Sequence, residues 1–255
     1  MSHYVDLNSD LGESFGNYTL GMDSEVLNHV TSANIACGWH AGDPLIMEVT
    51  VRICKEKGVA VGAHPGYPDL MGFGRRAMAV NPAEAKAYMM YQLGALQAFC
   101  DSYDITLQHM KLHGAFYNTA CVTPVLADAI LDGLQAVNPN ISAMVLSGSY
   151  IAQEAQRRGI PVIQEVFADR GYTEKGTLVP RTEEGAFIKD PQEALDRVLM
   201  MVTKGKVVTN TGKTIDIVAD SVCVHGDNPE AIAFTRYIRE GLTKAGVTVA
   251  NFQHR

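Results

Sequence analysis

With 255 residues, 47% of them hydrophobic and 19% charged, the chain is long enough to enclose a sizeable core, and a single domain over residues 1–255 is expected. A formal net charge of -7, from 21 Lys and Arg against 28 Asp and Glu, leaves no basic face for a phosphate backbone, so nucleic acid is not an expected partner. The opening MSHYVDLNSD has no apolar signal region, and no apolar run approaches the roughly 20 residues of a membrane span, so neither secretion nor a membrane partner is expected.

In chain order, the first short β-rich run is VDLN (5–8), and Asp6, Asn8, Asp10 and Glu13 lie on it or just beyond it. SANIAC (32–37) follows, carrying Asn34 and leading to Trp39, His40 and Asp43; Asp43-Pro44 then starts a helix, a capping residue ahead of proline at the first helical position. Gly58 suits the left-handed end of that helix. VAVGAH (59–64) ends in His64 and is followed by Arg75 and Arg76, before a helix opened by Asn81-Pro82, with Glu84 placed for a capping box.

LQHMKLH (107–113) supplies Lys111 and His113, with Asn118 just beyond, and Thr123-Pro124 starts the next helix. SAMVLS (142–147) offers only Ser147 and Ser149. PVIQEVF (161–167) brings Glu165, Asp169 and Arg170, ahead of a helix at Asp190-Pro191. KVVTNTGKTIDIVAD (206–220) breaks the pattern: two β-rich arms flank Asn-Thr-Gly-Lys, so a hairpin-like excursion is expected near 206–218. The last strand run, DSVCVHG (220–226), leads to His225 and Asp227, and Asn228-Pro229 begins the final helix.

Strand and helix alternating about seven times predict an α/β fold, a parallel sheet covered by helices and more consistent with a (β/α) barrel than with an open sheet. In such a fold the carboxyl ends of all strands meet at one mouth, which would bring these scattered residues together. Each polar residue taken singly has an ordinary explanation as a cap or loop residue, Asp43 above all. The set is harder to explain that way, because four of the eight histidines (His40, His64, His113, His225) follow four different strands. Imidazoles and carboxylates in one cleft suit proton transfer near neutral pH, lysine and arginine suit an anion, and His with Asp could equally hold a divalent metal that activates water.

Several motifs fail their structural context. GFGRRA (72–77) resembles a dinucleotide loop but follows no strand, and TGKT (211–214) lacks the glycine of a phosphate loop where Val207 stands, so no self-contained ATP site is expected. No GxSxG elbow is present. The cysteines Cys37, Cys54, Cys100, Cys121 and Cys223 are odd in number and form no CxxC pair, as expected for reduced thiols in a cytoplasm. Met89, Met90, Met200 and Met201 are expected as core filler. His3, His29, His109 and His254 have no evident companions and are set aside.

DLNSDLGESFG (6–16), SANIACGWHAGDP (32–44), VGAHPGYPDLMGFGRR (61–76), KLHGAFYN (111–118), EVFADRGY (165–172), LVPR (178–181) and VHGDN (224–228) closely resemble the LamB/YcsF family, over nearly the whole chain. Ser9 and Trp39 stand where cysteine and phenylalanine are usual, and the larger ring of Trp39 would reshape one wall of the mouth. The resemblance implies a distorted seven-stranded, TIM-like barrel similar to the glycoside hydrolase and deacetylase superfamily. It further implies one component of a cytoplasmic, ATP-dependent 5-oxoprolinase, a cyclic-amide hydrolase that opens 5-oxo-L-proline to L-glutamate together with two further subunits. ATP would be a co-substrate of the complex, with this chain hydrolysing the activated ring.

Under that reading Asp10, His64 and His113 position and deprotonate water, and Glu165 or Asp169 protonates the leaving nitrogen. Lys111, Arg75 and Arg76 take the anionic groups, and Asp6, Asn8, Glu13, Asn34, His40, Arg170, Arg181, His225 and Asp227 complete the substrate site. Two alternatives remain open: a metal-dependent amide hydrolase or deacetylase acting without ATP, its ion on Asp10, His40 and His64, or a non-catalytic subunit that captures the ligand.

Overall fold

The computed structural model describes residues 3–226 and 228–252. Strands β1 (Tyr4–Leu11), β2 (Ser32–Ala36), β3 (Ala60–His64), β4 (Leu107–Met110), β5 (Ser142–Leu146) and β6 (Val162–Phe167) lie side by side in chain order, all parallel. The hairpin then intervenes: β7 (Lys206–Val208) and β8 (Thr214–Asp216) pair antiparallel, with TGKT at their turn and no phosphate loop. Strand β9 (Ser221–Cys223) returns to the sheet and pairs with both β6 and β1, closing a seven-stranded barrel. A short β10 (Thr248–Val249) adds to the start of β1.

The helices begin where the sequence marks them. Around the barrel run α2 (Pro44–Lys57), α3 (Pro82–Ser102), α4 (Gly114–Val122), α5 (Pro124–Val137), α6 (Tyr150–Arg157), α7 (Pro191–Lys204) and α8 (Pro229–Lys244), after a single-turn α1 (Asp23–Val26). Asp43, Asn81, Asp190 and Asn228 each accept a backbone N–H of the first turn, and Asn81 with Glu84 completes the capping box. Thr123 caps α5 without a side-chain bond, so Pro124 alone marks that start. Gly58 closes α2 at φ 66°, where a Cβ would be strained.

Alternation along the strands separates two interiors. Val5, Leu7, Ile35, Val61, Ala63, Met110, Leu112, Val145, Val166 and Val222 point outward and merge with helix residues such as Met89, Leu93, Leu96 and Ile130 into one apolar layer. Each fully buried side chain of this kind contributes about 1.5–3 kcal/mol, so most stability resides between barrel and helices. The alternate positions, Asp6, Asn8, Asp10, Asn34, His64, His109, Lys111, Glu165, Ser221 and Cys223, point into the barrel, where their mutual contacts build a polar column. Met89 and Met201 are core residues as expected, whereas Met90 is on the surface. No single helix among the described residues is long and apolar enough to cross a membrane.

Candidate functional site

The column starts at the bottom with Asp6. Its fully buried carboxyl is raised by burial, a cost partly offset by hydrogen bonds from the hydroxyls of Ser221, Ser32 and Thr31. Asn8 donates to Ser221 Oγ at 2.8 Å and accepts from Asn34 at 2.8 Å, and Asn34 also donates to Asp10 Oδ1 at 2.9 Å. His109 joins from β4, donating through Nε2 to Asn34 Oδ1 at 2.7 Å. Gly62 makes room for it, since a Cβ there would lie 2.1 Å from the imidazole.

Lys111 sits above this layer with its ammonium 2.9 Å from Asp10 Oδ1, 3.1 Å from Asn8 Oδ1 and 2.7 Å from Glu165 Oε1. Burial would lower its pKa, but Asp10, Cys223 and Glu165 overcome that and hold the amine well above its ordinary value. Glu165 is fully buried and receives the Tyr117 hydroxyl at 2.7 Å. It does not line the cavity, being covered by Lys111 and Tyr117, so of the two carboxylates expected to protonate the nitrogen it is the one without access to the open space.

The imidazoles form the next layer. His64 Nδ1 donates to the Lys111 carbonyl at 2.7 Å, and His113 Nε2 donates to the Phe73 carbonyl at 2.8 Å. Their remaining nitrogens, His64 Nε2 and His113 Nδ1, face each other at 2.9 Å, and Asp10 Oδ2 is 3.2 Å from the former. His40 stacks on His113 with ring centroids 3.8 Å apart and reaches Glu13 at 3.3 Å. Burial first, then the neighbouring imidazoles, holds His40 well below its ordinary value and His113 down at about 3. Burial acts the other way on Asp10, but the charges of His64 and Lys111 outweigh it and keep its carboxyl well below the usual range. Gly74, at φ 62°, lets the loop wrap the stack, for a Cβ there would lie 2.8 Å from His40 Cβ and 2.9 Å from His113 Cδ2.

A cavity of about 70 Å³ opens above, lined by Asp10, Glu13, His64, His113, Arg75, Arg181 and His225 among others. His225 pairs with Asp169 at 3.0 Å; burial would raise that carboxyl, and His225 outweighs it and lowers it. The structure thus brings Asp10, Glu13, Lys111, His64, His113, Arg75, Arg170, Arg181 and His225 to one wall system, with Asp169 behind His225 and His40 behind His113. Asp6, Asn8 and Asn34 lie under the floor as supports rather than at the cavity. Arg76 turns away and binds Asp69, its side chain 68% exposed, so it does not reach the anion site expected for it. Trp39 packs on Tyr88 and Tyr91 of α3 instead of walling the mouth. Asp227 lies outside the described residues.

The donors fit a divalent cation. Two rings each tied by one N–H to a backbone carbonyl turn facing nitrogens toward each other beside a carboxylate, and a positive centre, a proton or a metal ion, suits that convergence. Glu13, His40, His64 and His113 can bring one ligand atom each within 4.8 Å of the others. Of the expected set Asp10, His40 and His64, the two histidines thus fall in one group with Glu13 and His113, and Asp10 Oδ2 stands 3.2 Å from His64 Nε2.

His109, Tyr117 and the ion pair of Asp169 with His225 were not foreseen. A period-two count would have found the first, because His109, Lys111 and His113 share one strand face, as Asp6, Asn8 and Asp10 do. Tyr117 is a helix residue and carried no such signal.

Among proteins of known name, the chain is 60% identical over 249 residues to the A subunit of 5-oxoprolinase from Fusobacterium nucleatum, covering 98% of this chain and 97% of that one. It is 52% identical to the corresponding 5-oxoprolinase component of Pyrococcus horikoshii, over 96% of each chain. The crystal structure of a lactam utilization protein from Thermus thermophilus superposes with a TM-score of 0.92 at 45% identity, covering 98% of this chain and all of the other. A putative cellobiose-phosphate cleavage protein from Enterococcus faecalis, at 12% identity and a TM-score of 0.60, shares the fold. The LamB/YcsF family model matches residues 5–255, and with relatives this similar along nearly their whole lengths, the chain belongs to the LamB/YcsF family.

Proposed function

We propose that this chain is the A subunit of a 5-oxoprolinase and that it opens the lactam ring of 5-oxo-L-proline after partner subunits have activated the ring with ATP. The observation that carries this reading is the 60% identity to a protein of that name over almost the entire chain. The cavity supports it: proton carriers and free cations face a small space, and the chain has no phosphate loop of its own, which fits a division of labour with two further subunits. Five free cysteines, all buried, suit work in a cytoplasm.

Asp10 and His64, 3.2 Å apart, are placed to take a proton from water at the cavity floor, with Lys111 fixing the Asp10 carboxylate. Water adds to the ring carbon of the O-phosphorylated lactam, and the carbon–nitrogen bond breaks as the nitrogen takes a proton from His225, which Asp169 orients from behind. The γ-glutamyl phosphate so formed yields glutamate and inorganic phosphate with a second water. His113, bound to Phe73 and stacked on His40, holds His64 in register. Reconstitution with the two partners tests this: glutamate should form from 5-oxoproline only with ATP, and His64→Ala should slow it about 10²- to 10⁴-fold. Near-normal turnover in both His64→Ala and His113→Ala would overturn the assignment.

The facing nitrogens of His64 and His113 favour one second reading. A divalent ion held by Glu13, His40, His64 and His113, with Asp10 beside His64, would lower the pKa of a bound water and polarise an amide carbonyl, so that ring opening would need no nucleotide. Elemental analysis of the purified chain, and glutamate formation by the chain alone that stops with chelator, would establish this reading over the first.

A further inference from the structure

The cations around the cavity differ in what they already hold. Lys111 is bound to Asp10, Asn8 and Glu165. Arg170 donates to the carbonyls of Ala186 at 3.0 Å and Val179 at 2.7 Å, and Arg76 is turned onto Asp69. Arg75 and Arg181 line the same cavity, yet neither side chain forms a hydrogen bond or ion pair with any described residue. Each rests on an aromatic face instead, Arg75 at 4.9 Å from the Phe73 ring and Arg181 at 5.3 Å from the Phe187 ring.

These two guanidinium groups also act on each other. Burial lowers the pKa of Arg181, and the next largest cause is the positive charge of Arg75. Two donor-rich planar forks lining one cavity, neither engaged by a carboxylate or carbonyl of a described residue, form a site for an oxyanion of more than one charge. A carboxylate brings a single charge and fills one fork, whereas a phosphoryl group brings about -1.5 to -2 and three acceptor oxygens. A second cavity, of about 300 Å³, adjoins the first along Asn118, Arg170, Leu178 and Arg181, which leaves room for a group projecting beyond a small ring.

We infer that Arg75 and Arg181 together bind the phosphoryl group of an O-phosphorylated lactam, so that the species this chain takes in is the activated ring and not free 5-oxoproline. The inference rests on the 5-oxoprolinase reading and deepens it. It places the phosphorylated oxygen on the arginine side of the ring carbon, opposite the floor where Asp10 and His64 hold water.

The test has two arms. Inorganic phosphate and 5-oxo-L-proline are titrated separately into the isolated chain by calorimetry, for wild type, Arg75→Gln, Arg181→Gln, the double variant and Arg76→Gln as a control, with circular dichroism to confirm folding. Phosphate should bind the wild type and the control, each single variant should lose at least tenfold, and the double variant should show no binding, while any 5-oxoproline affinity changes less than threefold. In the reconstituted complex, the double variant should still release ADP but form at least tenfold less glutamate. Phosphate affinity unchanged in the double variant, an undetectable phosphate site in wild type, or equal losses for phosphate and 5-oxoproline overturn the inference. If the wild-type complex forms no glutamate with ATP, the underlying reading falls instead, a result the phosphate titration does not produce.

Discussion

Replacing Lys111 by Met would leave two carboxylates facing each other through the space of their shared counter-ion. Its ammonium lies 2.7 Å from Glu165 and 2.9 Å from Asp10, and Glu165 has no solvent contact. At an effective dielectric constant of 20 each attraction is about 6 kcal/mol gross. Desolvation of several kcal/mol per ion offsets most of it, and breaking such a pair from one side costs about 3–5 kcal/mol. Lys111→Met should therefore lower the melting temperature by about 6–20 °C, at the 2–4 °C per kcal/mol usual for chains near this size. Glu165→Gln keeps an oxygen for the Tyr117 hydroxyl and leaves Lys111 with Asp10, so it should cost only about 1–2 kcal/mol. The double variant removes the stranded charge together with its partner, and its cost should fall below the sum of the singles by about 1.5–3 kcal/mol. Urea unfolding followed by circular dichroism reads all three. If the two costs simply add, the ammonium does not neutralise Glu165 and the electrostatic account of the floor is wrong.

His109 is fully buried, and burial pushes its pKa down from 6.5 to about 3. It stays neutral in the fold while the unfolded chain takes up a proton, so its effect is nil above about pH 6.5, and stability falls as pH drops from there toward 3; His109→Gln should flatten the slope by about 1.4 kcal/mol per pH unit, and an unchanged slope between pH 6 and 4 would count against a buried neutral ring. Tyr117→Phe deprives Glu165 of its only hydroxyl donor among the described residues and should cost about 1–3 kcal/mol in the same urea assay, no loss meaning that the bond contributes nothing. Arg76→Ala should leave glutamate formation within twofold of wild type, because the side chain faces Asp69 outside the cavity; a tenfold loss would return Arg76 to the site. Asp169→Asn should lower turnover about tenfold or more, since the neutral amide no longer fixes the His225 ring by an ion pair; turnover within twofold of wild type would remove Asp169 from that role.

Much of the architecture was legible because turn chemistry and strand alternation are local signals. Proline after a capping residue fixed the starts of α2, α3, α5, α7 and α8, and the Asn-Thr-Gly-Lys turn marked the hairpin. The meeting of His64, His113 and Asp10 followed from parallel topology alone, since all three end strands on one rim. What stayed hidden was depth along a strand. Glu165 and Asp169 are four residues apart and read alike in sequence, yet one lies beneath Lys111 and the other at the rim behind His225. Arg75 and Arg76 are neighbours whose side chains leave a loop in opposite senses, a distinction set by Asp69 six and seven residues earlier.

The closure of the ring by β9 bears on how such a chain reaches its native state. The carboxylate of Asp6 is satisfied by hydroxyls from residues 31, 32 and 221, so one of its partners arrives only when nearly the entire polypeptide has been made. Until then the half-finished sheet carries a buried acid short of a donor and an open edge along β1, which penalises premature collapse. A late-arriving serine thus serves as a latch that makes assembly all-or-none, and replacing Ser221 by Ala is expected to lengthen the lifetime of partly folded, aggregation-prone forms more than it perturbs the finished enzyme.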